Sequence, residues 1–230
     1  MSALAPIAVA LDGPDLDTVV SWARSTGPFI STMKIGLETY LRDGDQAVHA
    51  VREASGGRDV FLDLKLHDIP NTVAGAARSI AHLHPSYLTV HASGGSAMIA
   101  AAVQALPDTK ITAVTILTSL DEAALAAIGM QGPALDAACR LAELAVAAGA
   151  RAIVCSPQEV AAIRSRVPAE IVLITPGVRP AGAALGDQAR VATPQQALAD
   201  GADLLVIGRP ITAAADPAVA AELLFNELIS

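Results

Sequence analysis

Aromatic residues and long apolar runs are both scarce in this chain of 230 residues. Phe, Trp and Tyr together make up only 3% of the residues, whereas hydrophobic residues as a whole make up 53%. The core must therefore consist of aliphatic side chains and alanine, as in helices packed closely against a sheet. Because Pro, Gly, His or a charged residue interrupts each apolar stretch before about 18 residues, we expect no membrane-spanning segment.

Positive charge is scarce as well. Lys and Arg number 15 against 23 Asp and Glu, which gives a net charge of −8. No basic stripe alternates with aromatic residues, so we expect no binding to nucleic acid. The N-terminus lacks a basic region followed by an apolar stretch and a cleavage site. These features predict a soluble, cytoplasmic protein.

Cysteine occurs only at Cys139 and Cys155, and both lie in apolar segments. Neither belongs to a CxxC or Cys/His pattern with the spacing of metal ligands. The scattered His and Asp residues also form no compact metal motif. We therefore predict that both thiols are small core residues and that the protein binds no metal.

Eight short apolar runs recur along the chain and are rich in residues that favour strands. Each run is almost continuously apolar rather than alternating, which indicates strands buried on both faces. Parallel strands covered by helices have this property. The eight predicted strands are Ile7–Leu11, Ile30–Ile35, Val60–Leu64, Tyr87–Val90, Ile111–Leu117, Ala152–Cys155, Ile171–Ile174 and Leu204–Ile207.

Segments of helical length separate these runs, and several begin with recognisable caps. Ser156–Glu159 and Thr193–Gln196 each fit a capping box with proline at the first helical position. Asp216, which precedes a proline, offers a similar cap for the last helix. In Leu135–Val146, apolar residues at positions 135, 138, 139, 142 and 146 form a helical stripe that we expect to pack on the sheet.

Eight strand–helix units in a chain of this length predict a TIM (β/α)8 barrel, with residues 1–230 as a single domain. An open, doubly wound sheet is the alternative. Such a sheet would normally carry a glycine-rich phosphate turn after its first strand, whereas this chain has Leu11–Pro14 there. No GxGxxG or Walker pattern is present, which favours the barrel.

Charged residues end several of the predicted strands. Asp12 follows the first run, Lys34 lies near the end of the second, and Asp63 and Lys65 end the third, with Asp68 in the next loop. Taken singly, Asp12 also fits a helix cap, and Lys34 fits a lysine that extends to water. Asp63 and Lys65 also fit an ordinary ion pair at the end of a strand. Active sites of TIM barrels form where the strands end, so the convergence of these groups favours a catalytic site.

Residues suited to an anion follow the last two predicted strands. Arg179 and Gln188 come after the seventh run, and Gly208 and Arg209 come after the eighth. The corresponding loops bind phosphate in many barrels, through backbone N–H groups and charge-assisted contacts of arginine. Arg179 and Gln188 taken alone also fit solvated loop residues. Together, the four residues predict a phosphorylated substrate.

Other polar residues near the predicted strand ends are less specific. Thr118 ends the fifth run and is a candidate substrate contact, although Ser119 with Glu122 also fits a capping box. We expect His67 to serve loop structure. His91 ends the fourth run and is a weaker candidate for the barrel mouth.

The segment Asp63–Thr72 reads DLKLHDIPNT and resembles the DxKxxDIPNT signature of the orotidine 5'-monophosphate decarboxylase family. Related sugar-phosphate barrels share only its DxKxxD core. The full segment and the later phosphate motifs are more specific, and the matching segments span nearly the whole chain in the expected order. The supporting segments are Ala8–Asp12, Lys34–Gly36, Leu117–Ser119, Thr175–Pro180, Gly186–Gln188 and Val206–Thr212.

The resemblance implies decarboxylation of orotidine 5'-monophosphate to uridine 5'-monophosphate in pyrimidine synthesis, without a cofactor. It implies that Lys65 donates a proton to pyrimidine C6 after carbon dioxide leaves, and that Asp63 lies beside the substrate carboxylate. Asp12 and Lys34 would contact the ribose. Further implied roles are a homodimer in which Asp68 and Thr72 enter the neighbouring site, a pyrimidine contact by Thr118, and phosphate contacts by Arg179, Gln188, Gly208 and Arg209.

Two other functions remain open from the sequence. One is a related barrel enzyme, a decarboxylase or an aldolase-like enzyme, that acts on a phosphorylated sugar acid or ketose and generally uses a metal. The other is a barrel that binds a phosphorylated ligand without catalysis. The acid–lysine–acid cluster argues against the second function, because a binding protein gains little from such dense charge.

Overall fold

The computed structural model describes residues 4–179 and 192–229. Eight parallel strands form a closed barrel in chain order, and β1 pairs with β8 to complete it. All eight predicted strands are confirmed, and the closure excludes the open sheet. The strands are β1 Ala5–Ala10, β2 Ile30–Gly36, β3 Asp59–Leu66, β4 Tyr87–His91, β5 Lys110–Val114, β6 Ala152–Val154, β7 Val172–Thr175 and β8 Leu204–Ile207.

Helices connect the strands and form the outer layer of the barrel. None of the helices in the described ranges is long and apolar enough to cross a membrane. The helices are α1 Leu16–Thr26, α2 Leu37–Asp43, α3 Asp45–Ala54, α4 Pro70–Ser79, α5 Ser96–Ala105, α6 Glu122–Ala127, α7 Ala134–Ala147, α8 Val160–Arg164, α9 Pro194–Ala199, α10 Arg209–Thr212 and α11 Pro217–Ile229.

The predicted cap at Asp216 forms, whereas the predicted capping box at Thr193 forms only on the threonine side, because the Gln196 side chain donates instead to Asp200 at 2.8 Å. The Thr193 hydroxyl accepts a hydrogen bond from the N–H of Gln196 at 3.2 Å and begins α9. The carboxylate of Asp216 accepts from the N–H of Ala218 at 2.9 Å at the start of α11. In both helices proline occupies the first position, where its missing N–H costs no hydrogen bond.

The third predicted cap is only half formed, and the predicted start of its helix is wrong. Glu159 accepts the backbone N–H of Ser156 at 2.9 Å, as in a capping box. The N–H of Glu159 also donates to the carbonyl of Ser156 at 3.0 Å, which closes a turn, and α8 begins only at Val160. The buried hydroxyl of Ser156 therefore has no hydrogen-bond partner.

Helix α7 confirms the predicted helix over Leu135–Val146, but not every position of its stripe. Ala138, Cys139 and Ala142 are fully buried, as predicted. Leu135 is 42% exposed, so the expectation that it packs on the sheet is wrong. It belongs to the first turn of α7, where it lines a surface groove with Glu122. Cys155 is also buried, which confirms that both cysteines are core residues.

The interior of the barrel is filled near the amino ends of the strands. The rings of Phe61 and Tyr87 lie 5.6 Å apart there, and the ammonium group of Lys110 lies 5.1 Å from the Tyr87 ring. A second, larger apolar cluster lies largely between the sheet and the helices. Because the interior is filled at one end, open space remains at the carboxyl ends of the strands. The inner cluster consists of Ala8, Phe61, Tyr87, Ala152, Ile174 and Leu204.

Candidate active site

The charged residues predicted to converge form one continuous network at the barrel mouth. The ammonium nitrogen of Lys65 lies 2.8 Å from Oδ1 of Asp63. Oδ2 of Asp63 lies 3.3 Å from the Nζ of Lys34, which lies 3.3 Å from Oδ2 of Asp12. Acid and base therefore alternate from Asp12 through Lys34 and Asp63 to Lys65, as the sequence predicts.

The burial of this network alters the pKa values of its members. Only 8% of the Lys34 side chain and 14% of the Asp63 side chain are exposed. Burial alone would lower the pKa of Lys34, but the negative charges of Asp63 and Asp12 outweigh it and raise the pKa. Burial alone would likewise raise the pKa of Asp63, but Lys34 and Lys65 lower it below its ordinary value. Both groups are thus held in their charged forms.

A glycine makes room for the first acid of the network. Gly36 at the end of β2 pairs with Asp63 on β3, and a Cβ at Gly36 would overlap the carboxylate of Asp12. The loop that carries Asp12 is fixed on the same strand, because the N–H of Leu11 donates to the carbonyl of Lys34 at 2.9 Å. The sequence pattern did not identify this role of Gly36, because it depends on contact between two strands.

Asp63 has a further partner that the sequence analysis missed. The hydroxyl of Thr89, on the neighbouring strand β4, donates to Oδ1 of Asp63 at 3.0 Å and is fully buried. Thr89 lies two residues before His91, so strand alternation places both side chains on the same face of β4. This spacing is a signal that could have identified Thr89 as a residue facing the barrel interior.

Two adjoining cavities open beside the network. The first has a volume of about 180 Å³, is mostly apolar, and contains Asp63, Lys65 and Thr118 in its wall. The second has a volume of about 480 Å³, and polar and charged residues contribute much of its wall. Pro176 and Val206 line both cavities, so the two spaces are neighbours. The second cavity includes Asp12, Arg179, Gly208 and Arg209 in its lining.

The structure therefore brings together all but a few of the predicted site residues. Asp68 and Thr72 are exposed and line neither cavity. Asp68 accepts the N–H of Ile69 at 2.6 Å, just before α4. Gln188 lies outside the described residues. The alternative cap at Ser119 is not formed, because Asp121 caps α6 through the N–H of Ala124 at 2.8 Å.

The two histidines near the mouth pack on each other. The rings of His67 and His91 lie 5.5 Å apart. Burial, followed by the nearby His67 and Lys65, lowers the pKa of His91, and the carboxylate of Asp63 opposes this shift only in part. His91 does not appear in the wall of either described cavity. It is nevertheless close enough to Lys65 and Asp63 for their charges to act on it.

Side chains that commonly bind metals are dispersed over the described parts of the chain. Within residues 4–179 and 192–229, no three His, Cys, Asp or Glu side chains are grouped as metal ligands would be. The carboxylates at the mouth are instead paired with lysines.

Comparisons with known proteins agree with the resemblance seen in the motifs. The chain is 66% identical to the orotidine 5'-phosphate decarboxylase of Thermobifida fusca, over 97% of this chain and 96% of that one. It is 55% identical to the enzyme of the same name from Frankia casuarinae, over 94% and 85%. The crystal structure of orotidine 5'-phosphate decarboxylase from Lactobacillus acidophilus superimposes with a TM-score of 0.84 at 33% identity, over 98% and 99%.

The profile of the orotidine 5'-phosphate decarboxylase / HUMPS family matches residues 5–224. This range includes every strand of the barrel and every residue of the charged network. The chain therefore belongs to the orotidine 5'-phosphate decarboxylase / HUMPS family.

Proposed function

We propose that this chain is a carboxy-lyase that converts orotidine 5'-monophosphate to uridine 5'-monophosphate and carbon dioxide in de novo pyrimidine synthesis. The names of its relatives at 66% and 55% identity support this activity. The observation that carries the proposal is the Lys65–Asp63 contact of 2.8 Å in the wall of the apolar cavity. It places a cation at the edge of a space suited to a flat, weakly polar ring.

The two cavities suggest how the substrate lies. The pyrimidine ring enters the mostly apolar cavity, where Thr118 contacts its polar edge. The phosphate enters the neighbouring cavity, where Arg179 and Arg209 supply positive charge and N–H donors. The ribose lies between them, beside Asp12 and Lys34. Gly208, and Gln188 outside the described residues, complete the proposed phosphate site.

The chemistry assigns the central role to Lys65. When the bond between C6 and the carboxylate breaks, its electron pair stays on C6 in an orbital that the ring cannot delocalise well. The ammonium group of Lys65 stabilises this charge and then transfers a proton to C6, which leaves uridine 5'-monophosphate and a neutral amine. Solvent returns the proton to Lys65. No step in this sequence calls for a metal or another cofactor.

Asp63 prepares Lys65 for this role. Because its carboxylate holds the ammonium group before substrate arrives, little reorganisation is needed when negative charge develops at C6. Lys34 in turn pairs with both Asp63 and Asp12, and its charge helps to keep the mostly buried Asp63 ionised. In this proposal the carboxylate of the substrate approaches Asp63.

We further propose a homodimer in which Asp68 and Thr72 reach the neighbouring site. Both residues are exposed in the single chain and line neither of its cavities. Between them, Ile69 leaves 66% of its surface exposed, and Leu41 on α2 leaves 78%. Exposed apolar side chains beside polar ones are typical of protein interfaces. We place the enzyme in the cytoplasm, with no nucleic-acid or membrane partner.

An absorbance assay tests the proposed activity. Purified protein is mixed with orotidine 5'-monophosphate in the presence of EDTA, and the loss of substrate absorbance is followed together with release of carbon dioxide. We expect full turnover with and without the chelator. Turnover that appears only with an added divalent metal, and on a phosphorylated sugar acid or ketose instead, would favour the related barrel enzymes. Binding of uridine 5'-monophosphate without any turnover would favour a non-catalytic barrel.

A further inference from the structure

The ladder between β3 and β4 is interrupted where the catalytic lysine lies. Phe61 pairs with Tyr87 and Leu62 with Leu88, but the next pair is Leu66 with Val90. The chain therefore advances four residues along β3 against two along β4. The two extra residues fall within Asp63–Lys65, and such a bulge re-aims the side chains around it.

The backbone of Lys65 is strained at this bulge. Its φ of +48° lies in the left-handed region, and only His84 shares a positive φ among the described non-glycine residues. Side chains other than glycine rarely adopt this conformation, and it persists only where surrounding contacts hold it. The bulge also removes the regular ladder partner from the N–H of Lys65.

The hydroxyl of Thr89 replaces that partner. The backbone N–H of Lys65 donates to Oγ1 of Thr89 at 2.8 Å, and the same hydroxyl donates to Oδ1 of Asp63 at 3.0 Å. An ionised carboxylate only accepts hydrogen bonds, so the hydroxyl proton must point to Asp63 and a lone pair must face the N–H of Lys65. One buried hydroxyl thus bonds both the backbone of Lys65 and the carboxylate that holds its ammonium group.

We propose that Thr89 is a positioning residue for Lys65. It closes a ring of contacts that runs from the N–H of Lys65 through Thr89 and Asp63 back to the Nζ of Lys65. The ring fixes the lysine at both ends, at its backbone and at its ammonium group. This inference rests on the proposed function for its kinetic consequence, but its structural consequence is independent of the substrate.

The kinetic test compares Thr89→Val with Thr89→Ser. Valine keeps the branched shape and removes the hydroxyl, whereas serine keeps the hydroxyl and removes the methyl group. We expect Thr89→Val to lower kcat at least about tenfold, while the KM and the Kd for uridine 5'-monophosphate stay within about twofold. Thr89→Ser should restore most of kcat. Thermal unfolding will show whether the Thr89→Val variant folds. If it does not, the Thr89→Ala variant takes its place.

Thr112 provides a matched control. It pairs with Thr89 across β4 and β5, is fully buried, and donates its hydroxyl to the carbonyl of Lys110 at 3.0 Å. Thr112→Val therefore removes a buried hydroxyl from the same level of the barrel without touching Lys65. We expect its kcat to equal that of the wild type. An equal loss in both valine variants, or an unchanged kcat in Thr89→Val, would overturn the proposal.

Crystal structures of the wild type and Thr89→Val separate this inference from the proposed activity. We expect Lys65 to leave the left-handed region, or its Nζ to move away from Asp63, in Thr89→Val alone. This result would support the role of Thr89 even if orotidine 5'-monophosphate proved not to be the substrate. A Lys65 that keeps both its φ and its contact with Asp63 in the variant would refute it.

Discussion

The α-carbon of Gly36 lies so close to the carboxylate of Asp12 that no Cβ fits between them. Gly36→Ala should therefore push Asp12 away from Lys34 and disturb the network from one end. Because small displacements of positioning groups are costly, we expect kcat/KM to fall by about 10- to 100-fold. Steady-state kinetics measure this loss, with urea unfolding to confirm that the variant folds.

A double-mutant cycle identifies the cause of that loss. In an Asp12→Ala background the overlap no longer exists, so adding Gly36→Ala should cost little more activity. If the two losses are instead independent and multiply, the steric relationship between Gly36 and Asp12 does not explain the effect.

Lys34 should matter for stability as well as for activity. Lys34→Met leaves Asp12 and Asp63 without the cation between them, and breaking such a buried pair costs about 3 to 5 kcal/mol. Urea unfolding at neutral pH measures this difference in the free energy of unfolding. Lys110→Met, which removes the lysine at the other end of the barrel, is the control and should cost about 1 kcal/mol or less.

The pH dependence of that difference has a definite sign. Because the pKa of Lys34 is raised in the folded protein, its contribution is complete below the unfolded value of about 10.4 and is lost as pH rises through the folded pKa. The difference in the free energy of unfolding between the wild type and Lys34→Met should be constant from neutral pH to about pH 9. It should become smaller above about pH 10.4. A difference that stays constant through strongly alkaline pH would contradict the proposed charge pairing.

Much of the barrel is predictable from the sequence because local pattern identifies its strands, and the charged network follows because the strands of a parallel barrel all end at the same mouth. Continuous apolar runs identified all eight strands, and the spacing of Asp63 and Lys65 placed both at the end of β3. The caps at Thr193 and Asp216 follow from hydrogen bonds within one turn. These are short-range features, for which residue type and spacing decide the structure.

The contacts that the sequence did not reveal depend on how separate elements meet. Thr89 reaches Asp63 because β3 carries a two-residue bulge against β4, and no residue pattern within β3 shows that register. The role of Gly36 likewise appears only when β2 lies beside the loop that carries Asp12. Leu135 matched the helical stripe of α7, but the periodicity of a helix does not show where the covered surface ends.

Arg209 should contribute to affinity through the phosphate. Since a charge-assisted hydrogen bond contributes about 1.5 to 3 kcal/mol, Arg209→Ala should raise the Kd for uridine 5'-monophosphate by about 10- to 100-fold. Calorimetry measures this change, with exposed Arg24 on α1 as the control for loss of a positive charge. Uridine, which lacks the phosphate, should bind the wild type and Arg209→Ala equally. An equal loss of affinity for uridine and for uridine 5'-monophosphate would show that Arg209 does not act through the phosphate.

The proposal that Asp68 serves the site of the neighbouring subunit can be tested by mixing Lys65→Ala and Asp68→Ala variants, both of which should be inactive. In a hybrid of Lys65→Ala and Asp68→Ala subunits, one of the two sites regains both an intact lysine and an intact neighbouring aspartate. Random exchange at equal amounts should therefore restore about a quarter of the wild-type activity. A double variant carrying both changes, mixed with Lys65→Ala, is the control and should restore nothing. If dimers shown to contain one subunit of each variant are inactive, Asp68 does not serve the neighbouring site.

The most direct measurement is the single-turnover rate of Lys65→Ala on saturating orotidine 5'-monophosphate. If the ammonium group held by Asp63 stabilises the charge at C6 and supplies the proton, the rate should fall by a factor of about 10⁴ or more, while uridine 5'-monophosphate still binds. Lys110→Ala, which removes a lysine remote from the mouth, should keep the wild-type rate. A folded Lys65→Ala protein that still decarboxylates the substrate at nearly the wild-type rate would contradict the role assigned to Lys65.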